Sequence, residues 1–163
     1  MLTLGIDPGT ATVGFGLVEE RNDGSLQAID YGVITTKPGV PMWERLAIIY
    51  DGIAVLAEKY QPDRAGVEEL FFAKNVTTAI TVAQGRGVIL LALAKAGLTV
   101  AEYKPNNVKQ SISGYGGAKK PQMQEMVRIL LGLETIPKPD DAADALAIAI
   151  TDIHNARYSG YAD

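Results

Sequence analysis

Cysteine is absent from the chain and histidine occurs once, at His154. Without thiols there is no disulfide, no thiolate zinc site and no cysteine nucleophile. The same absence fits a reducing cytoplasm, where the protein is expected to act. A Ser-His-Asp triad or a multi-histidine metal site would have to rest on that single ring. Hydrolytic chemistry is therefore expected to fall to carboxylates, lysines and a hard cation. Long apolar runs are also missing. The longest, Gly87 to Ala94, is too short to cross a bilayer, and no membrane partner is expected. The opening MLTLGIDPGT has no basic leader and carries a charge at Asp7, so it does not read as a signal peptide.

Excess positive charge is lacking overall, since the net charge is −4. Its distribution is uneven, however. The segment from Leu70 to Arg128 holds eight Lys/Arg against only Glu102 and Glu125, while the remainder carries seven basic and seventeen acidic residues. One contiguous third of an acidic protein is basic, which permits phosphate binding on one face. With 163 residues, 47% hydrophobic and 21% charged, the chain is long enough for one domain with its own core.

The first third reads as a β-meander. β-rich runs from Leu2 to Asp7, Val13 to Glu20 and Gln27 to Thr36 are separated by Pro-Gly-Thr and Asn-Asp-Gly-Ser turns. Apolar residues at Trp43, Leu46, Ile49, Ile53 and Leu56 have helical spacing. A strand beginning at Arg64, a long helix from about Asn75 to Ala96 and a strand near Leu98 to Glu102 follow. Three helices, starting near Pro105, Lys120 and Asp140, complete the pattern. It predicts an α/β fold with a five-stranded mixed sheet, three antiparallel strands plus parallel strands, and helices on both faces. No linker divides the chain; the expected division is a domain over 1–157 and a short tail over 158–163.

Several carboxylates stand where secondary structure would not place them. Asp7 ends an apolar strand before Pro-Gly, a position that a turn-capping Asp also explains. Glu68 and Glu69 end another strand, and alternation sends only one of them to each face. Asp140 suits an N-cap and Asp141 suits the helix dipole in the first turn. Asp144 has no such explanation. It precedes Ala-Leu-Ala-Ile-Ala-Ile, and a lone carboxylate entering a buried helix costs several kcal/mol unless paired or metal-bound. Asp141 and Asp144 are three residues apart and share a helical face. Clustered acids without His or Cys select Mg²⁺ or Mn²⁺. Two such ions about 3.5–4 Å apart serve in-line phosphodiester cleavage.

The stretches LGIDPGTATVGFGLV, GVEELFFAKN, AQGRGV, VKQSISGYGGAKKPQMQEMV and DDAADALAIAI, in that order and spacing, closely resemble the RuvC family of bacterial Holliday-junction endonucleases. The resemblance runs over nearly the whole chain. It implies an RNase H-like fold, cleavage of four-way DNA junctions, and catalytic metal ligands at Asp7, Glu68, Asp141 and Asp144. It also implies that Phe71 intrudes at the junction crossover and stacks on an unpaired base. Lys109 and Lys120 match lysines that contact DNA phosphates, and Lys119 stands beside the second of these. A homodimer and a RuvA–RuvB branch-migration complex are the implied protein partners. The long helix, with Ala79, Ala83 and Gly87, suits a two-fold interface or a core position. Asp152 receives no role.

Two other readings share the Asp7-Pro-Gly-Thr opening. Actin-like and sugar-kinase-like ATP-binding proteins need a second homologous domain that one domain of this length does not supply. A short RNase H-like nuclease that processes ribosomal RNA does not account for the Phe71 region or the AKKPQ loop. A junction-binding module without catalysis is disfavoured by the complete set of four acids.

Overall fold

Side-chain alternation along the first strand divides the molecule into two layers around one sheet. The computed structural model describes residues 1–69 and 75–159. Strand β1 (Leu2–Asp7) buries Leu4 and Ile6 fully on one side, in a cluster with Ile49, Ile53, Ile89 and Leu93. Those four residues belong to α1 (Met42–Tyr60) and α2 (Val76–Lys95). On its other side β1 presents Thr3, Gly5 and Asp7 to α5 (Asp140–Ser159), by the two-residue period of a strand.

The sheet runs in the order β3-β2-β1-β4-β5. Strands β2 (Thr12–Glu20) and β3 (Leu26–Thr35) extend β1 antiparallel as a meander. Strands β4 (Arg64–Glu68) and β5 (Thr99–Tyr103) add to it in parallel. This is the mixed five-stranded sheet expected from the sequence, with helices on both faces. Helices α3 (Pro105–Ser113) and α4 (Lys120–Leu130) join α5 on its side of the sheet through Val108, Ile112, Val127 and Leu146.

Helix α5 lies unusually close to the strands because the positions beneath it carry no side chain. Gly16, Gly5 and Gly66 are in register across β2, β1 and β4. A Cβ added at Gly5 would stand 2.1 Å from the Ala145 carbonyl oxygen, and one at Gly16 would stand 2.8 Å from the Leu146 nitrogen. One at Gly14 would stand 2.0 Å from the Asp141 carbonyl oxygen. Over Gly5 the facing residues of α5 are small in turn, Ala145 and Ala149, while Leu146 lies over Gly16 and Ile148 over Gly66.

One sequence expectation needs correction, and one is made more specific. Asp140 is the first residue of α5 rather than its cap. The Pro139 carbonyl accepts from Ala142 (2.9 Å) and Ala143 (3.3 Å), which leaves the Asp140 side chain free to meet α4. Helix α2 is apolar around its circumference, yet only Gly85, Ile89, Ala92 and Leu93 are buried. Val76, Ile80 and Leu91 are exposed, and a Cβ on Gly87 would meet nothing within 4 Å. One side of α2 serves the core and the other is open. In length and composition α2 would suffice to cross a membrane, although its longest unbroken apolar run, Gly87 to Ala94, is short.

Gly5→Ala is expected to cost roughly 2–3 kcal/mol or more, because the clash is with backbone and not with a flexible side chain. Gly87→Ala, in open helix surface, should be neutral or stabilise by about 0.5–1 kcal/mol. Urea denaturation of both variants checks the pair. Equal stability would contradict the close seating of α5.

Candidate active site

Asp7 and Glu68 reach the same edge of the sheet because β1 and β4 are parallel and Ile6 is in register with Val67. Each carboxylate is the next residue along its strand. Glu68 shares its face with Gly66, above which Ile148 and Asp152 of α5 pass. The parity of the strand therefore turns Glu68, and not Glu69, toward α5. The Glu69 backbone N–H instead donates to the Tyr103 carbonyl at 2.8 Å.

The first turn of α5 enters at this edge. Gly14 pairs with Asp7, and the backbone of Asp141 rests directly over Gly14. A carboxylate oxygen from each of Asp7, Asp141 and Asp144 lies within 4.8 Å of the others. All three are half-buried, as is Glu68. Asp7 is thus brought, with two acids that lie more than a hundred residues further along the chain, within reach of a single cation.

Their electrostatics are those of a site short of positive charge. Burial, then the charges of Glu68, Asp144 and Asp141, then a hydrogen bond with Asp141 push the Asp7 carboxyl up to about 8. Burial and the Asp144 charge also raise Glu68, against a hydrogen bond with Asp7 and the charge of Lys109. Burial raises Asp144, with Asp141 adding to it and Lys120 opposing. Burial and mutual repulsion thus favour the protonated forms of these acids, and a bound cation would oppose that. The donor set of the cluster is oxygen only, and it fits a hard divalent ion.

Lysines line the approach. Lys120, at the start of α4, places Nζ 3.6 Å from Asp144 Oδ2 and 3.4 Å from Asp140 Oδ2. Gln124, one turn on, donates to Asp140 Oδ1 at 3.2 Å. A cavity of about 410 Å³ brings together Glu68, Asp144, Lys109, Lys119 and Lys120. A larger hollow of about 1040 Å³, beside Asn106 and His154, holds none of the four acids. Phe71 lies outside the described residues.

The sequence profile of the family described as "Crossover junction endodeoxyribonuclease RuvC" matches residues 3–152. The chain belongs to the RuvC family. It is 62% identical over 156 residues to the RuvC of Chloroflexus aggregans, a match covering 96% of this chain and 94% of that one. The solved structure of Thermus thermophilus RuvC is similar to this chain with a TM-score of 0.91 and 36% identity, over 98% and 97% of the two chains. The structure described as T. thermophilus RuvC in complex with Holliday junction substrate matches with a TM-score of 0.89 and 34% identity, over 97% and 96%. The RNase H-like architecture expected from RuvC resemblance is therefore present. Neither the ATP-binding reading nor the ribosomal-RNA reading gains support.

Two features of this RuvC-family site escaped the sequence. Nothing in the spacing revealed that Lys120 would stand over Asp140 and Asp144, since α4 and α5 meet only in the fold. The glycines under α5 did leave a trace: Gly5, Gly14, Gly16 and Gly66 are weak strand formers inside apolar strands.

Because the folded-state pKa of Asp7 is raised, its contribution to stability is fully present below the unfolded value near 3.8 and is lost as pH rises toward about 8. The metal-free protein is therefore expected to melt at a lower temperature at pH 8.5 than at pH 5.5. Added Mg²⁺ should raise the melting temperature most at the higher pH, and Asp7→Asn should flatten both trends. Calorimetry across that range checks the sign.

Proposed function

We propose that this RuvC-family chain resolves four-way DNA junctions, as a crossover junction endodeoxyribonuclease, by metal-dependent phosphodiester hydrolysis. In this reading Asp7, Glu68, Asp141 and Asp144 hold two Mg²⁺ or Mn²⁺ ions. The observation that carries it is the convergence of Asp7, Asp141 and Asp144 within 4.8 Å beside a lysine-lined cavity. Bound there, divalent ions would activate a water and stabilise the leaving oxygen of an in-line displacement.

The chain's own residues prepare that event. Asp7, at the rigid end of a central strand, is the pivot of the cluster, and Glu68 supports it from the parallel neighbour. Asp141 and Asp144 close the site from above on one helical face. Burial lowers the local dielectric, so that each charge placed here acts more strongly than in water. Four acids would repel a phosphate. Lys120 and Lys109 offset that repulsion at Asp144 and Glu68 and offer ammonium groups to the DNA backbone, with Lys119 beside them. Lys120 itself is drawn down by burial, but Asp144, Asp140 and Asp141 outweigh this and keep it charged.

Phe71 is assigned to stacking on an unpaired base at the crossover, on the strength of its family position alone. The open apolar side of α2 supports a homodimer, which two symmetric nicks in a four-armed substrate require. Action in the cytoplasm alongside a RuvA–RuvB branch-migration complex completes the reading.

Asp7→Asn and Asp144→Asn should each slow cleavage of a synthetic four-way junction by roughly a thousandfold or more while binding persists. Lys120→Ala should slow cleavage by about 10- to 100-fold with a smaller effect on binding. The deciding comparison is substrate choice in Mg²⁺. Preference for linear duplex or for RNA over the branched junction would overturn the proposal.

A further inference from the structure

Eight residues beyond Asp144 on α5 stands Asp152, a fully buried carboxylate outside the acid cluster. Arg64, the first residue of β4, donates to it twice, from Nε to Oδ2 at 2.5 Å and from Nη2 to Oδ1 at 3.0 Å. Tyr103, the last residue of β5, donates its hydroxyl to Oδ1 at 2.7 Å. Two adjacent strands thus grip one side chain of the helix. Gly66, on β4 between Arg64 and Glu68, makes room for the grip. A Cβ there would stand 3.2 Å from both Asp152 Cβ and the Tyr103 ring.

A buried ion pair contributes little net stability, because desolvating both charges offsets most of their attraction. What it supplies is direction. Helix α5 descends the sheet from Asp141 over Gly14 to Ala145 and Ala149 over Gly5, so it runs against β1 and β4. From Asp144 to Asp152 an α-helix advances about 12 Å. From Glu68 back to Arg64 a strand covers about 13 Å. The two spans match, so fastening Asp152 to Arg64 brings Asp144 level with Glu68. Between these anchor points α5 meets the sheet through Ala145 and Ala149 over Gly5, Leu146 over Gly16 and Ile148 over Gly66, which is close and apolar contact. Apolar contact is non-directional and fixes rotation and sliding less sharply than a two-pronged guanidinium bond.

We propose that Arg64, Asp152 and Tyr103 are positioning residues that set the register and rotation of α5, and thereby hold Asp141 and Asp144 in metal-binding geometry against Asp7 and Glu68. The inference rests on the four-acid reading of the site. It separates the cohesion of the helix, which comes from apolar packing, from its alignment.

The test uses Mn²⁺ alone as probe, followed by electron paramagnetic resonance in the full chain. Replacing the pair with apolar residues of similar size, Arg64→Met with Asp152→Leu, should leave a cooperative thermal transition. The same variant should bind Mn²⁺ about tenfold or more weakly than wild type, and bind a metal-free junction equally well. Tyr103→Phe, which loses one hydroxyl, should weaken Mn²⁺ binding by about threefold. A merely structural role predicts the opposite pattern: a lower melting temperature with unchanged Mn²⁺ affinity. That result in the folded double variant overturns the proposal. If the double variant does not fold, Tyr103→Phe and Arg64→Lys carry the test, and wild-type affinity in both overturns it. Asp144→Asn is the control. Undiminished Mn²⁺ binding there would refute the four-acid reading itself, whatever the other variants do.

Discussion

The seating of α5 on side-chain-free positions of three strands is the contact on which the site depends. Gly16, Gly5 and Gly66 form a row across the middle of the sheet, and Gly14 opens the edge beside Asp7. Because the helix backbone comes so near, the first turn of α5 meets the ends of β1 and β4 instead of passing above them. A helix separated from the sheet by ordinary core side chains would stand farther away. Its short aspartates would then fall short of Asp7. Close packing at the centre of the molecule is thus translated into carboxylate proximity at its edge.

That proximity costs electrostatic energy. Repulsion and burial together hold Asp7, Glu68 and Asp144 above their ordinary pKa ranges, which is the signature of an arrangement awaiting a cation. The opposing charges are placed unevenly. Lys120 stands at Asp140 and Asp144, and Lys109 bears on Glu68, so the rim of the site is basic while its floor is acidic. A phosphodiester backbone can approach the rim, and a divalent ion can occupy the floor. This layout also reconciles an acidic chain with a nucleic-acid substrate, because charge is matched locally.

Much of this was legible in the sequence, for identifiable reasons. The mixed sheet followed from alternation and turn chemistry, and Asp144 stood out because no local role explained a carboxylate in an apolar helix. The choice of Glu68 over Glu69 lay within reach, since Glu68 shares parity with Gly66, but which face Gly66 occupied depended on the fold. Asp140 misled because Asp is a good cap, whereas the Pro139 carbonyl does the capping and Asp140 turns to Lys120 and Gln124. For α2 the sequence offered both an interface and a core position, and apolar composition alone does not tell which side of the helix takes which role. Asp152 was passed over because its partners, Arg64 and Tyr103, are distant in the chain and adjacent only across β4 and β5.

Anomalous X-ray scattering from crystals of this chain soaked in Mn²⁺ tests the central claim most directly. The account predicts manganese bound among the Asp7, Asp141 and Asp144 carboxylates, with oxygen ligands at about 2.1 Å and Glu68 completing the site on the β4 side. Manganese found only at other acidic groups, with this cluster left metal-free, would contradict it.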